Sequence, residues 1–184
     1  LFLGVASNYL CDLQVGEKVT LTGPSGKRFL LPADPAAHDY VFVATGTGIA
    51  PFRGMLIDLL ESGITSQIAL LMGVPYANDL LYHPFLTELA SKHPNFHYIT
   101  ALSRERQPDG AQPLYVQQRF QTHRDLLATL LASDRGLLYV CGLAGMELGI
   151  FQQLARTLPG PALEQYLYVQ QRFQTHRDLL ATLL

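Results

Sequence analysis

Charge is scarce in this sequence. Only 15% of its 184 residues are Asp, Glu, Lys or Arg, against roughly 25% in an average soluble protein. The 13 basic and 15 acidic residues nearly cancel, leaving a net charge of −2, so the chain has no basic footprint for nucleic acid. Cysteine is almost absent. Cys11 and Cys141 cannot build a disulfide framework, and they suit a reducing, cytoplasmic setting. No apolar run reaches the ~18–20 residues of a transmembrane helix, so no membrane span is expected. The six histidines show no metal-ligand spacing with Cys or carboxylates, and no Gly-x-Ser-x-Gly nucleophile elbow occurs. The opening Leu1-Phe2-Leu3-Gly4 has no initiator Met, basic n-region or cleavage site. It does not read as a signal peptide, and the chain is expected to begin inside a longer sequence.

Apolar residues, by contrast, make up 48% of the chain, enough for a sizeable core. The sequence also repeats itself. Leu114 to Leu131 reads LYVQQRFQTHRDLLATLL, and Leu167 to Leu184 is the same letter for letter. Solenoid repeats drift and need three or more copies to bury a core. Two perfect copies point instead to a recent tandem duplication or a joining artefact, with a working second copy of a site as the alternative. The first copy sits inside an alternation of strands and helices. The second follows Leu158-Pro159-Gly160-Pro161 and leads nowhere that alternation requires, so the first is read as the original.

Residues 1–33 read as β-rich. Lys18 to Thr22 (KVTLT) alternates with a β-branched bias, Gly23 to Gly26 forms a turn and Phe29 to Leu31 continues extended. Asn8 to Gln14 reads as a short helix with Ser7 as its cap. Ala33 to Asp39 is a Pro/Ala linker. Beyond it, strands are predicted over 40–44, 67–72, 96–102 and 137–141. Helices are predicted over 51–62, 80–92, 116–131 and 146–157. Leu81, Phe85 and Leu89 are the apolar positions of the second of these helices, and Phe120, Leu127 and Leu131 those of the third. Continuous apolar strands such as Tyr40 to Ala44 (YVFVA) belong in a parallel sheet covered on both faces, so the fold expected is a doubly wound α/β domain.

The chemistry is expected where strands end. Thr45-Gly46-Thr47-Gly48-Ile49-Ala50-Pro51 follows a buried strand and opens a helix. Glycines let the backbone approach a pyrophosphate, and the helix N-terminus supplies N–H groups and partial positive charge. The acidic residue that would hold a ribose 2′-OH is missing after the second strand, which ends Gly73-Val74-Pro75. The third strand ends Ser103-Arg104-Glu105-Arg106. A hydroxyl and a guanidinium there suit a 2′-phosphate and favour NADP over NAD; taken alone, the stretch also reads as a solvated polar loop. Tyr115 offers a ring to stack on adenine and Gln117 an amide for its edge, although Tyr115 alone equally suits partly buried structure. The fourth strand ends Cys141-Gly142-Leu143-Ala144-Gly145. Its thiol is placed to contact a nicotinamide, or else is a buried small hydrophobe.

In this order the motifs resemble the plant-type ferredoxin–NADP⁺ reductase family. They are Gly4-Val5-Ala6-Ser7-Asn8-Tyr9-Leu10-Cys11-Asp12-Leu13, Gly23-Pro24-x-Gly26-Lys27, the Thr45–Arg53 glycine stretch, Gly73-Val74-Pro75, Leu80-Leu81-Tyr82, Ser103-Arg104-Glu105, Tyr115-Val116-Gln117 and Cys141-Gly142-Leu143-x-Gly145-Met146-Glu147. The resemblance implies the end of an antiparallel FAD-binding β-barrel at 1–37, an NADP-binding domain at 38–160 and a duplicated tail at 161–184. It implies electron transfer between ferredoxin or flavodoxin and NADP(H), with FAD as converter. By the same resemblance, Ala6 and Ser7 face the FAD pyrophosphate, and Thr47 and Gly48 cradle the NADP pyrophosphate. Ser103 and Arg104 hold the 2′-phosphate, Tyr115 and Gln117 take the adenine, and Leu143 lines the adenosine side. Cys141 is the catalytic candidate, beside the nicotinamide.

The sequence departs from the family pattern in three places. The early barrel strands and their Arg-x-Tyr-Ser motif are missing. Pro113 stands where the family has a basic residue, which leaves Arg106 as the substitute. The duplicate segment replaces the family's acidic-x-Tyr ending. Two alternatives stand beside the reductase: an oxygenase reductase component of the benzoyl-CoA epoxidase type, and a fragment that binds NADP without turnover.

Overall fold

The computed structural model describes residues 4–23 and 29–171. The chain divides into two compact units, Leu1–Pro32 and Ala33–Leu184.

Among its described residues the first unit has one helix, α1 (Val5–Asp12), and no strand. The helix begins earlier than its sequence suggests. Gly4 is the N-cap, and its carbonyl accepts both the backbone N–H and the side-chain amide of Asn8 at 3.0 Å. Ser7, expected as a cap, therefore lies inside the first turn. The strand expected over Lys18 to Thr22 is not formed. Alternation makes a segment fit for a sheet, but a ladder needs a second strand, and none is present among the described residues of this unit. The turn residues Pro24 to Gly26, with Lys27, lie outside the described residues.

The second unit is built on a parallel sheet of β1 (Asp39–Thr45), β2 (Ile68–Val74), β3 (Phe96–Leu102) and β4 (Gly136–Cys141), in the order β3-β2-β1-β4. The apolar runs become the two central strands, and every residue of β2 is buried. Side chains alternate between faces. Val41, Val43, Ala69, Leu71, Ile99 and Ala101 enter a core shared with Phe120, Leu127, Leu131, Ile150 and Leu154. On the opposite face Phe42 packs against Phe52 of α2 (Ile49–Glu61), ring centroids 4.9 Å apart, and against Tyr139 of β4 at 5.5 Å. His83, the first residue of α3 (His83–Lys92), meets Tyr98 of β3, which is in register with Leu70. Helices thus cover both faces, as expected of a doubly wound sheet.

Two helices differ from their sequence pattern. α3 starts only at His83, because Tyr82 takes a left-handed conformation (φ 59°). Leu86 is its buried residue, while Leu81 is exposed and Phe85 and Leu89 are half-buried. The single helix expected over 116–131 is broken into a 3-10 turn (Val116–Gln118), α4 (Arg119–Thr122) and α5 (Arg124–Ala132). The break is at His123 (φ −122°, ψ 37°). There the Thr122 hydroxyl bonds the His123 ring at 2.9 Å and the Arg119 carbonyl at 3.4 Å, a side-chain competition that bends helices. The bend still leaves Phe120, Leu127 and Leu131 all fully buried.

α6 (Ala144–Thr157) is followed by α7 (Gly160–Gln171). Tyr166 of α7 is buried and its hydroxyl donates to the carbonyls of Leu131 (2.9 Å) and Gly136 (3.3 Å). Burial pushes its pKa up to about 12. The segment after Pro161 therefore does serve the fold, through Ala162, Leu163 and Tyr166, which precede the second repeat copy. The opening letters of the two copies differ in structure. Leu114–Gln118 runs extended into a 3-10 turn, whereas residues 167–171 end a helix. Residues 172–184, the rest of the second copy, lie outside the described residues.

Candidate functional site

From β1 the chain winds outward through β2 to β3, then returns across the sheet to β4 on the other side of β1. The crevice at the carboxyl ends of β1 and β4 is the switch point where open α/β sheets bind ligands. Four loops reach this edge, and they carry the site residues expected in this unit. The two end loops sit on β3 and β4, three strand spacings or ~14 Å apart.

At the crevice, Gly46 is left-handed (φ 52°) and leads through Thr47 and Gly48 into α2. Gly48 is buried and Thr47 exposed. A Cβ on Gly48 would collide with the carbonyl of Cys141, so this turn and the end of β4 are in direct backbone contact. Thr45 completes the clasp: its hydroxyl accepts the Leu143 N–H at 3.0 Å. A side chain at Gly142 (φ 154°) would strike that hydroxyl. No side chain caps α2, which leaves its N-terminal dipole facing the crevice. Cys141 is half-buried and free, in register with Ala44. Leu143 beside it is 75% exposed.

On β2, Gly73 leaves room for Val116, which a Cβ there would meet at 2.7 Å. The 3-10 turn therefore rides on the strand end. Tyr115 leads that turn, 63% exposed, its N–H held by the Gln118 side chain at 2.7 Å. Gln117 lies against α6 where Gly149 has no side chain, its Cγ 3.0 Å from the Cβ position.

On β3, the N–H of Ser103 and that of Arg104 bond the carbonyls of Val74 and Pro75, both at 3.0 Å. The Ser103 hydroxyl also donates to Val74 at 3.4 Å. The Arg104 side chain is exposed and has no protein partner among the described residues. Glu105 accepts the Ala77 N–H. Arg106, the expected substitute for the basic residue replaced by Pro113, donates instead to the Gly110 carbonyl at 2.9 Å.

Two residues that the motifs did not single out hold this loop. Gln107, 3% exposed, accepts the Leu102 N–H at 3.1 Å and donates to the Leu102 carbonyl at 2.7 Å. Arg119, 8% exposed, donates to the Thr100 carbonyl at 2.8 Å and to the Gln107 amide oxygen at 2.9 Å. Burial pushes the Arg119 guanidinium below its ordinary pKa, opposed by the charge of Asp109. The one available signal was Arg119's place on the apolar stripe of Val116 and Phe120.

Ala6 and Ser7 belong to the first unit, exposed on the first turn of α1. Among the described residues, no group of three His, Cys, Asp or Glu could hold a metal ion.

Residues 42–151 match the family described as the oxidoreductase NAD-binding domain. The leaf-type chloroplastic ferredoxin–NADP reductase of Nicotiana tabacum is 41% identical over 153 residues, covering 80% of this chain and 42% of the relative. A ferredoxin–NADP reductase from Spirulina sp is 42% identical over 154 residues, covering 80% and 52%. Among solved structures, ferredoxin–NADP⁺ reductase from Plasmodium falciparum with 2′P-AMP has a TM-score of 0.70 at 25% identity, covering 84% of this chain and 64% of that one. The chain spans about half the length of the curated relatives it matches. The glycine turn, the Ser-Arg strand end and the Cys-Gly-Leu strand end all fall within the matched residues, and the chain belongs to the oxidoreductase NAD-binding domain family, in the form carried by ferredoxin–NADP reductases.

Proposed function

We propose that this chain is the nucleotide-binding side of a ferredoxin–NADP⁺ reductase. It would bind NADP(H) along the carboxyl edge of the sheet and pass electrons between NADP(H) and ferredoxin or flavodoxin through FAD. The observation that carries this reading is Arg104. An exposed cation without a protein partner among the described residues follows Ser103, two strands from an uncapped glycine turn. That spacing suits one ligand with a pyrophosphate and a separate phosphate. Thr47 and Gly48 would hold the pyrophosphate, Ser103 and Arg104 the 2′-phosphate. Tyr115 and Gln117 would take the adenine, Leu143 would lie along the adenosine, and Cys141 would abut the nicotinamide. The clasp between Thr45 and Leu143 fixes the gap into which the ring would enter.

FAD fits the described residues only in part. The first turn of α1, led by Gly4 and carrying Ala6 and Ser7, has no side-chain cap and suits a pyrophosphate, but no strand of that unit walls a ring. When bound, FAD would convert a two-electron hydride into single electrons. A second reading is that this chain binds NADP(H) without turnover. Both cysteines are free and fit the reducing cytoplasm proposed as its location. Among the described residues no helix is long and apolar enough to cross a membrane, and the tobacco relative is chloroplastic by name.

The test is calorimetric titration of 2′-phospho-AMP and 5′-AMP into the chain and into Arg104→Ala. A charge-assisted bond contributes ~1.5–3 kcal/mol, so Arg104→Ala should weaken 2′-phospho-AMP at least ~10-fold and leave 5′-AMP nearly unchanged. Equal losses would remove Arg104 from the phosphate site. Added FAD decides between the two readings. A stoichiometric yellow protein that reduces dyes with NADPH would favour the flavoenzyme, and no FAD-dependent shift in Tm the binding fragment.

A further inference from the structure

We propose that Arg119 and Gln107 form a buried positioning pair that sets the site's selectivity for a 2′-phosphorylated adenosine without touching the ligand. The proposal rests on the reading of Ser103 and Arg104 as the 2′-phosphate site.

The loop from Ser103 to Pro113 is tied to the end of β2 by the N–H groups of Ser103 and Arg104, and Gln107 ties it to β3. The Gln107 side chain pairs with both the N–H and the carbonyl of Leu102, at 3.1 and 2.7 Å, as a neighbouring strand would. Its backbone binds the far side of the loop, its N–H donating to Ala111 (3.0 Å) and its carbonyl accepting from Gly110 (2.8 Å). Arg106 closes the same turn onto Gly110. One side chain therefore ties the end of β3 to the loop immediately after Ser103 and Arg104.

Arg119 holds that side chain from another element. Its guanidinium bridges the Gln107 oxygen (2.9 Å) and the Thr100 carbonyl of β3 (2.8 Å). Arg119 follows directly on the turn that carries Tyr115 and Gln117 and that rides on Gly73. The pair thus joins the two walls of the adenosine pocket, the 2′-phosphate loop on one side and the adenine turn on the other. Neither member reaches the surface, since Gln107 is 3% and Arg119 8% exposed. Both acceptors of the guanidinium are neutral oxygens. A buried cation with no carboxylate in hydrogen-bond contact is a costly way to gain stability, whereas a fork with fixed geometry is well suited to holding two backbones in register.

The experiment uses the full chain with Arg119→Met, Arg119→Lys, Gln107→Ala and the Met/Ala double variant, titrated with 2′-phospho-AMP and with 5′-AMP alongside Tm. Arg119→Met and Gln107→Ala should each lower 2′-phospho-AMP affinity ~10-fold or more and 5′-AMP affinity by less than ~3-fold. The double variant should lose no more than the worse single one, because the two act as a unit. Arg119→Lys, which keeps the charge and one bond, should recover part of the selectivity. If Arg119→Met does not fold, Gln107→Glu serves. It keeps both accepted bonds but loses the donor to Leu102, and it should reduce the same ratio. A fall in Tm with the affinity ratio unchanged, or additive losses in the double variant, would overturn the pair as a positioning device. A parent chain that does not distinguish the two nucleotides would overturn it too, but through failure of the 2′-phosphate site itself.

Discussion

Gly48 leads into α2 and Gly54 lies within it, and the two make opposite demands. A methyl group on Gly48 would enter the Cys141 carbonyl, a backbone atom that cannot swing away. Gly48→Ala must therefore push the glycine turn from the end of β4, at a cost of about 1–3 kcal/mol, and open the crevice where the pyrophosphate would bind. The expected outcome is a lower urea midpoint together with weaker binding of NADP⁺. Gly54 lies inside α2 with open space around its Cβ position. Gly54→Ala should raise stability by about 0.5–1 kcal/mol and leave binding alone. Unfolding the two variants side by side checks both, and a destabilised Gly54→Ala would contradict the packing described. Of these effects only the glycine turn was legible in the sequence. That Cys141 and Gly48 meet through backbone depends on β4 lying next to β1, a pairing that spans most of the domain.

At the scale of elements, the strands were the most legible and the helix 116–131 the least. β1 and β2 are buried on both faces, so the sheet is written as unbroken apolar runs and can be read locally. The break at His123 is not local in that sense. Every residue around it tolerates a helix, and the Thr122 hydroxyl decides the bend through bonds to His123 and Arg119. The Lys18 to Thr22 segment fails as a strand for a related reason, since pairing is supplied by other residues. The His123 break also titrates. Burial lowers its pKa below 6.5, and the Arg119 charge lowers it further, against a backbone hydrogen bond with Arg119 that raises it. The unfolded chain therefore takes up this proton first as pH falls. Stability from His123 is complete above pH ~6.5 and declines below it until the folded imidazole is protonated as well. Urea midpoints at pH 7.5 and 5.5 should fall more for the parent chain than for His123→Asn, and equal falls would show that the ring titrates as if unfolded.

Across the whole molecule, site and tail were legible to different degrees. Ser103, Arg104 and the glycine turn could be placed together because strand ends collect at one edge of a parallel sheet, while Gln107 and Arg119 are buried and carry no motif. The repeat was legible as letters only. Leu114–Gln118 is extended and then 3-10, because Val116 is drawn onto Gly73 and Leu114 bonds Leu102 at 2.9 Å. The same letters at 167–171 continue a helix seated by Leu163 and Tyr166. Among the described side chains, those that seat α7 precede the second copy, and two truncations separate the roles. Removing 160–184 takes away buried Tyr166 and its two hydrogen bonds, and should cost about 3 kcal/mol or more. Removing only 172–184 keeps Tyr166 and should leave the urea midpoint nearly unchanged. The shorter deletion also tests competition between the copies, since an identical segment is able to claim the groove that holds Phe120, Leu127 and Leu131. In that case the full chain forms concentration-dependent swapped dimers, visible by light scattering, and the 172–184 deletion abolishes them. A full chain that is monomeric at every concentration would show that the second copy never enters the groove of the first.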